Sequence, residues 1–277
     1  MENRMIRNGV LIVLLATAGQ LQAGWITWTN STTTPGLAAS GVFSGGIGAY
    51  SGTVSAALTN VTDGLGTAGV PGLDARLYAN GDLTTSFKAN YPVNNPDGSF
   101  TALANSYNDS GDSYTITVDF SGLLNGYLPA GSLFVILDLD ILENYRNVKA
   151  FGGTGQINTP WLAARTGTAS LLDWYNIDGD QTGSVVGPTS SEASGVYQFL
   201  GPAGNYTSAL AGFATTQDIS SMSLFFDKSN NSPASPGTGG PAFSIGTEVP
   251  EPGTMTLLGI ASILGLAFRA ARRTPAA

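Results

Sequence analysis

The chain is predicted to be all-β: an antiparallel β-sandwich with a jelly-roll-like habit over residues 24–248, followed by one C-terminal transmembrane helix. Three observations predict this. Short runs that alternate apolar and polar residues recur between turns rich in Gly, Asn, Asp and Pro. No stretch before the last 29 residues keeps a helical period. The roughly 225 residues between the two end segments suffice for one core, which must form without disulfides because cysteine is absent.

Taken in order, strands are expected at 24–29, 53–59, 84–91 and 99–104. The clearest follows at 112–120, where Tyr114, Ile116, Val118 and Phe120 alternate with Thr115, Thr117 and Asp119 to give one buried and one wet face. Residues 132–140 form a nearly continuous apolar run, as a central strand requires. Further strands are expected at 170–175, 196–200, 220–227 and 241–247. Turns are expected at Asn80-Gly81-Asp82, Asn95-Pro96-Asp97-Gly98 and Leu128-Pro129-Ala130-Gly131. Residues 229–240 read as a long loop before a final strand, because Phe243 and Ile245 alternate with polar neighbours. That leaves only about 248–253 as a tether.

Both ends carry membrane-directed segments. Residues 1–8 hold Arg4 and Arg7, residues 9–18 are apolar, and Leu21-Gln22-Ala23 precedes Gly24. This is the pattern of a secretory signal peptide, residues 1–23, cut between Ala23 and Gly24. At the other end, residues 249–277 contain Val249-Pro250-Glu251-Pro252-Gly253, an apolar run of 15 residues at 254–268, and then Arg269, Arg272 and Arg273. As a helix the run would span roughly 22 Å, short for a hydrocarbon core of about 30 Å but workable with local thinning and snorkelling arginines. The arginines hold the C-terminus on the cytoplasmic side. From the run and the arginines alone, a permanent single-pass anchor fits as well as a sorting signal.

The Pro250-Glu251-Pro252 triplet, the apolar helix and the basic tail, in that order and at the end of the chain, resemble the C-terminal signal of PEP-CTERM proteins. The resemblance covers about a tenth of the chain. It implies export through the Sec translocon, removal of the N-terminal segment by signal peptidase, and processing by an exosortase, a transpeptidase-like integral membrane enzyme. It assigns recognition to Val249, Pro250, Glu251 and Pro252, and cytoplasmic retention to Arg269, Arg272 and Arg273. It further implies a Gram-negative-type bacterium that makes exopolysaccharide and a biofilm or floc matrix. The protein would pass the inner membrane, be anchored transiently, and then reach the cell surface or extracellular matrix.

Charge and missing residue types narrow the chemistry. The whole chain carries a net charge of −8. The stretch from Gly24 through the Pro-Glu-Pro triplet keeps 18 acids and 6 bases, a net −12. Such a surface repels nucleic acid and anionic membranes and attracts divalent cations. Histidine is absent, which excludes a Ser-His-Asp triad, a histidine-ligated zinc and a histidine general base.

The remaining candidates are few. Asp138 and Asp140, two apart on a regular strand, share a face, and with Glu143 they offer oxygen ligands for Ca²⁺. The plainer reading is that they end the strand and solvate its loop. The acids in 176–182 fail the EF-hand spacing. Trp25, Trp28, Trp161, Trp174 and Tyr175 offer sugar-stacking surfaces, but filling the core is the stronger reading. No cofactor and no catalytic residue is expected. The expected role is a structural or adhesive protein of the cell surface or matrix, with exopolysaccharide as a partner. The alternative is a carbohydrate- or calcium-binding β-sandwich module.

Overall fold

A computed structural model describes residues 24–30, 37–44, 48–62, 72–78, 100–106, 111–137, 144–164, 195–200, 211–227 and 242–247. All of them lie in one compact unit, Ala23–Glu248. Its strands are β1 (Ile26–Asn30), β2 (Ala38–Phe43), β3 (Thr53–Thr62), β4 (Gly72–Tyr78), β5 (Phe100–Ser106), β6 (Ser113–Asp119) and β7 (Leu133–Leu137). They continue with β8 (Asn144–Gly152), β9 (Gly155–Gln156), β10 (Leu162–Ala164), β11 (Val196–Leu200), β12 (Ala211–Thr215), β13 (Ser221–Asp227) and β14 (Ala242–Gly246). The only helical element among the described residues is a single 3₁₀ turn, Gly48–Tyr50.

Every strand pairing is antiparallel, in two sheets. One sheet runs β1-β2-β3-β6-β13-β8-β11, with β9 beside β8; the other runs β10-β12-β7-β14-β5-β4. The inner faces pack together as a sandwich. Trp28 of the first sheet meets Phe243 of the second edge-on at 6.1 Å, and Phe199 of the first lies between Phe134 and Phe213 of the second at 6.4 and 5.5 Å. Burying each such side chain contributes about 1.5–3 kcal/mol. Within the first sheet, the registered pair Tyr114 and Phe226 stack at 4.8 Å.

The local chemistry explains these elements. In β6, Tyr114, Ile116 and Val118 are buried and their neighbours half-buried, so the period-two expectation holds residue for residue. All five residues of β7 are buried, as its uninterrupted apolar sequence requires, and it sits between β12 and β14. The turn at Leu128-Pro129-Ala130-Gly131 is present, with Gly131 at φ 85°. Phe243 and Ile245 of β14 enter the core. The stretches 84–91, 170–175 and 229–240 and the turns at 80–82 and 95–98 lie outside the described residues.

Six of the described strands fall outside the expected runs, β9 because it is only two residues long. In β2 the inward positions include Ala39 and Gly41, and Gly41 is needed because a Cβ there would run into the Ile26 side chain and stand 2.9 Å from the Trp28 ring. β10 and β12 are short and rich in alanine. β4 does alternate, but its inward side ends in an exposed Leu77 and its other side carries Asp74. In β8 a bulge breaks the period: Asn147 adopts φ 47°, and Tyr145 and Val148, three apart, are both buried. A second bulge at Asn60, φ 53°, carries β3 past its expected end at Thr59 to Thr62.

One buried hydroxyl ties the edge strand β10 to the opposite sheet. Tyr197 of β11, fully buried, accepts hydrogen bonds from the backbone N–H of Trp161 at 3.0 Å and of Leu162 at 3.2 Å. Removing that oxygen strands two buried donors, each costing about 1–3 kcal/mol. Tyr197→Phe is therefore expected to lower stability by about 2 kcal/mol or more, read as a lower urea midpoint with an unchanged slope.

Candidate functional site

The first and last described residues of the sandwich are bonded to each other. The backbone N–H of Gly24 donates to Thr247 Oγ1 at 2.7 Å, and the backbone N–H of Thr247 donates to the carbonyl of Gly24 at 2.9 Å. One residue further in, Trp25 and Gly246 form an antiparallel bridge. The Trp25 ring lies on Gly246, where a Cβ would stand 3.1 Å from it. On the other side the N–H of Ser44 donates to the carbonyl of Trp25 at 2.9 Å, and the hydroxyls of Ser44 and Thr27 bond at 2.8 Å.

Sequence dictates this clasp locally. Gly24 is buried, and any Cβ would fall inside the carbonyl oxygen of Ser44, so glycine is required. β1 pairs with β2 on one side only, and a strand edge left open invites pairing with other chains. Here Thr101 of β5 covers it: its hydroxyl accepts from the N–H of Trp28 at 2.8 Å and donates to the carbonyl of Ile26 at 3.2 Å. β1 thus carries the chain from one sheet onto the rim of the other.

In the sequence, the two segments marked for processing are next to the residues of this clasp. Gly24, the residue after the expected N-terminal cut, is in it; Ala23 lies outside the described residues. So do Val249, Pro250, Glu251 and Pro252, the apolar run 254–268, and Arg269, Arg272 and Arg273. Among the described residues no helix is long and apolar enough to cross a membrane. Asp138, Asp140 and Glu143 fall between the end of β7 and the start of β8, also outside the described residues. Among the described residues no three His, Cys, Asp or Glu side chains gather as metal ligands.

Trp25, Trp28 and Trp161 are all buried, at 3%, 2% and 0% exposure, so none is a sugar-stacking platform. The Trp161 indole N–H donates to the carbonyl of Gly195 at 2.8 Å, which gives its polar edge a partner inside the core. Trp174 and Tyr175 lie outside the described residues. Sequence reasoning missed the clasp. No local signal marks it, because Gly24 and Thr247 are 223 residues apart and neither residue type is distinctive.

The fold and the ends together define a class, an all-β sandwich with a terminal sorting segment. The comparison with known families makes the segment specific: residues 248–273 match the PEP-CTERM protein-sorting motif. The match begins one residue after Thr247 and includes Val249, Pro250, Glu251, Pro252 and all three terminal arginines. The chain carries a PEP-CTERM sorting motif, the mark of an exported protein sorted through an exosortase at the membrane. No curated protein and no solved structure matches the chain.

Proposed function

We propose that the sandwich is a non-enzymatic structural or adhesive module of the cell surface or extracellular matrix, delivered there by its C-terminal motif. The observation that carries this reading is the motif match at 248–273, contiguous with a sandwich whose own last strand ends at Gly246. Signal peptidase removes residues 1–23, an exosortase acts at Val249–Pro250–Glu251–Pro252, and the cut chain joins an exopolysaccharide matrix. The experiment that tests it is deletion of the gene in the native host. Loss of matrix cohesion should be restored by the full chain and not by a chain lacking residues 249–277.

The outer face of the eight-stranded sheet supports adhesion in particular. Register aligns Thr29, Ser40, Ser55, Asp119 and Ser221 in one row across five strands. With strands about 4.8 Å apart the row spans roughly 19 Å. Such a row offers hydroxyl donors and acceptors on small side chains, which suits hydrogen bonding to a polysaccharide laid across the strands. Ser40→Arg with Ser55→Arg is expected to cut retention on the host's exopolysaccharide several-fold. As exposed surface changes they should alter stability by only about 0.5 kcal/mol each. Retention unchanged by the double variant counts against this face. Calcium at Asp138, Asp140 and Glu143 would instead appear as a saturable rise in Tm with added Ca²⁺.

A further inference from the structure

The clasp holds the residue that follows the expected N-terminal cut. Gly24 is buried, its N–H and C=O are both bonded to Thr247, and its neighbour Trp25 is pinned between Gly246 and Ser44. A protease that cuts between residues 23 and 24 must hold the chain on both sides of that bond in its own cleft. While the clasp is shut, the downstream side is bonded to Gly246 and Thr247 at the end of β14. Cutting of a folded chain then proceeds only through the opened form, at a rate scaled by its population.

We infer an obligatory order of reactions: hydrolysis between Ala23 and Gly24 precedes the closing of Thr247 onto Gly24, and a chain that closes first no longer yields that bond. The inference rests on the reading of residues 1–23 as a cleavable signal. In the step itself water adds across the peptide bond, leaving a carboxylate on Ala23 and an α-ammonium on Gly24. That ammonium keeps protons to donate to Thr247 Oγ1, so the clasp forms equally after the cut. The two partners are 223 residues apart. At about 5–20 residues per second of synthesis, this leaves roughly 11–45 s between the appearance of Gly24 and that of Thr247.

A pulse-chase in the native host with a reversible signal peptidase inhibitor tests the order on the full chain. Without inhibitor, wild type should gain a new N-terminus at Gly24. With inhibitor present during synthesis and removed once the chains are complete, the cut should be about tenfold slower or worse. Thr247→Pro removes both the N–H donor and the hydroxyl acceptor while leaving β14 its five residues. In the same washout it should be cut at close to the uninhibited rate. Tyr197→Phe, destabilised at a site away from the clasp, should stay slow and so exclude general unfolding as the cause.

Completed wild-type chains cut as fast as nascent ones would overturn the inference. So would Thr247→Pro remaining protected, or Tyr197→Phe being cut as readily as Thr247→Pro. Absence of any cut at 23–24 in untreated cells sinks the signal-peptide reading itself, a distinct result.

Discussion

With Pro250, Glu251 and Pro252 all replaced by alanine, the chain accumulates at full length in the membrane fraction and the extracellular form falls by about tenfold or more. Each proline fixes its φ near −65° and removes an N–H, and each restricts the residue before it to extended conformations. A residue between two prolines has little conformational entropy left to lose on binding, which is the advantage a Pro-Glu-Pro sequence brings to recognition. Alanine at all three positions releases that restraint and deletes the charge. A loss of only about 1.4 kcal/mol in recognition is already tenfold. The apolar run and Arg269, Arg272 and Arg273 are untouched, so the membrane insertion proposed for them should persist and keep the uncut chain in the membrane. The sandwich keeps its stability, because the replaced residues lie beyond Thr247. Release at the normal rate would remove the motif from the account.

The largest effect on stability is expected from Trp161→Ala, about 3–5 kcal/mol. Trp161 is fully buried beside the edge strand β10 and meets Tyr197 edge-on with ring centroids 5.3 Å apart. Its indole N–H satisfies the carbonyl of Gly195, a residue at φ 69° whose Cβ position is filled by the carbonyl of Ile157. Truncation opens a ring-sized cavity, orphans that carbonyl and loosens the link between β10 and β11 together. Domains of this kind are stable by only about 5–15 kcal/mol, so about a fifth of the total or more would be lost. Urea unfolding of the purified domain measures it, and a change below about 1 kcal/mol would mean that the site collapses without penalty.

What could be read from the sequence follows the physics of each element. β6 and β7 were legible because apolar residues carry them, alternating in one and continuous in the other. β2 was not, because its inward glycine makes room for Ile26 and Trp28, and small residues are silent in an alternation pattern. β8 was hidden by its bulge, which moves Tyr145 and Val148 to the same face at a spacing no strand template contains. The aromatic residues read as core are core wherever they are described. Pairing of Gly24 with Thr247 was beyond reach of any local signal, since 223 residues separate them and neither residue type is distinctive. The sorting motif was fully legible, because its information is local: three residues, an apolar run and a basic tail in fixed order.

The central claim is that the closed sandwich is trimmed at both ends and released. Intact masses of the protein from the membrane and extracellular fractions of its native host test it most directly. The account predicts an extracellular form that starts at Gly24 and ends within residues 249–253, with or without an added glycan-sized mass at that end. A protein found only in membranes, with Ala277 still in place, would contradict it and leave a surface domain on a permanent anchor.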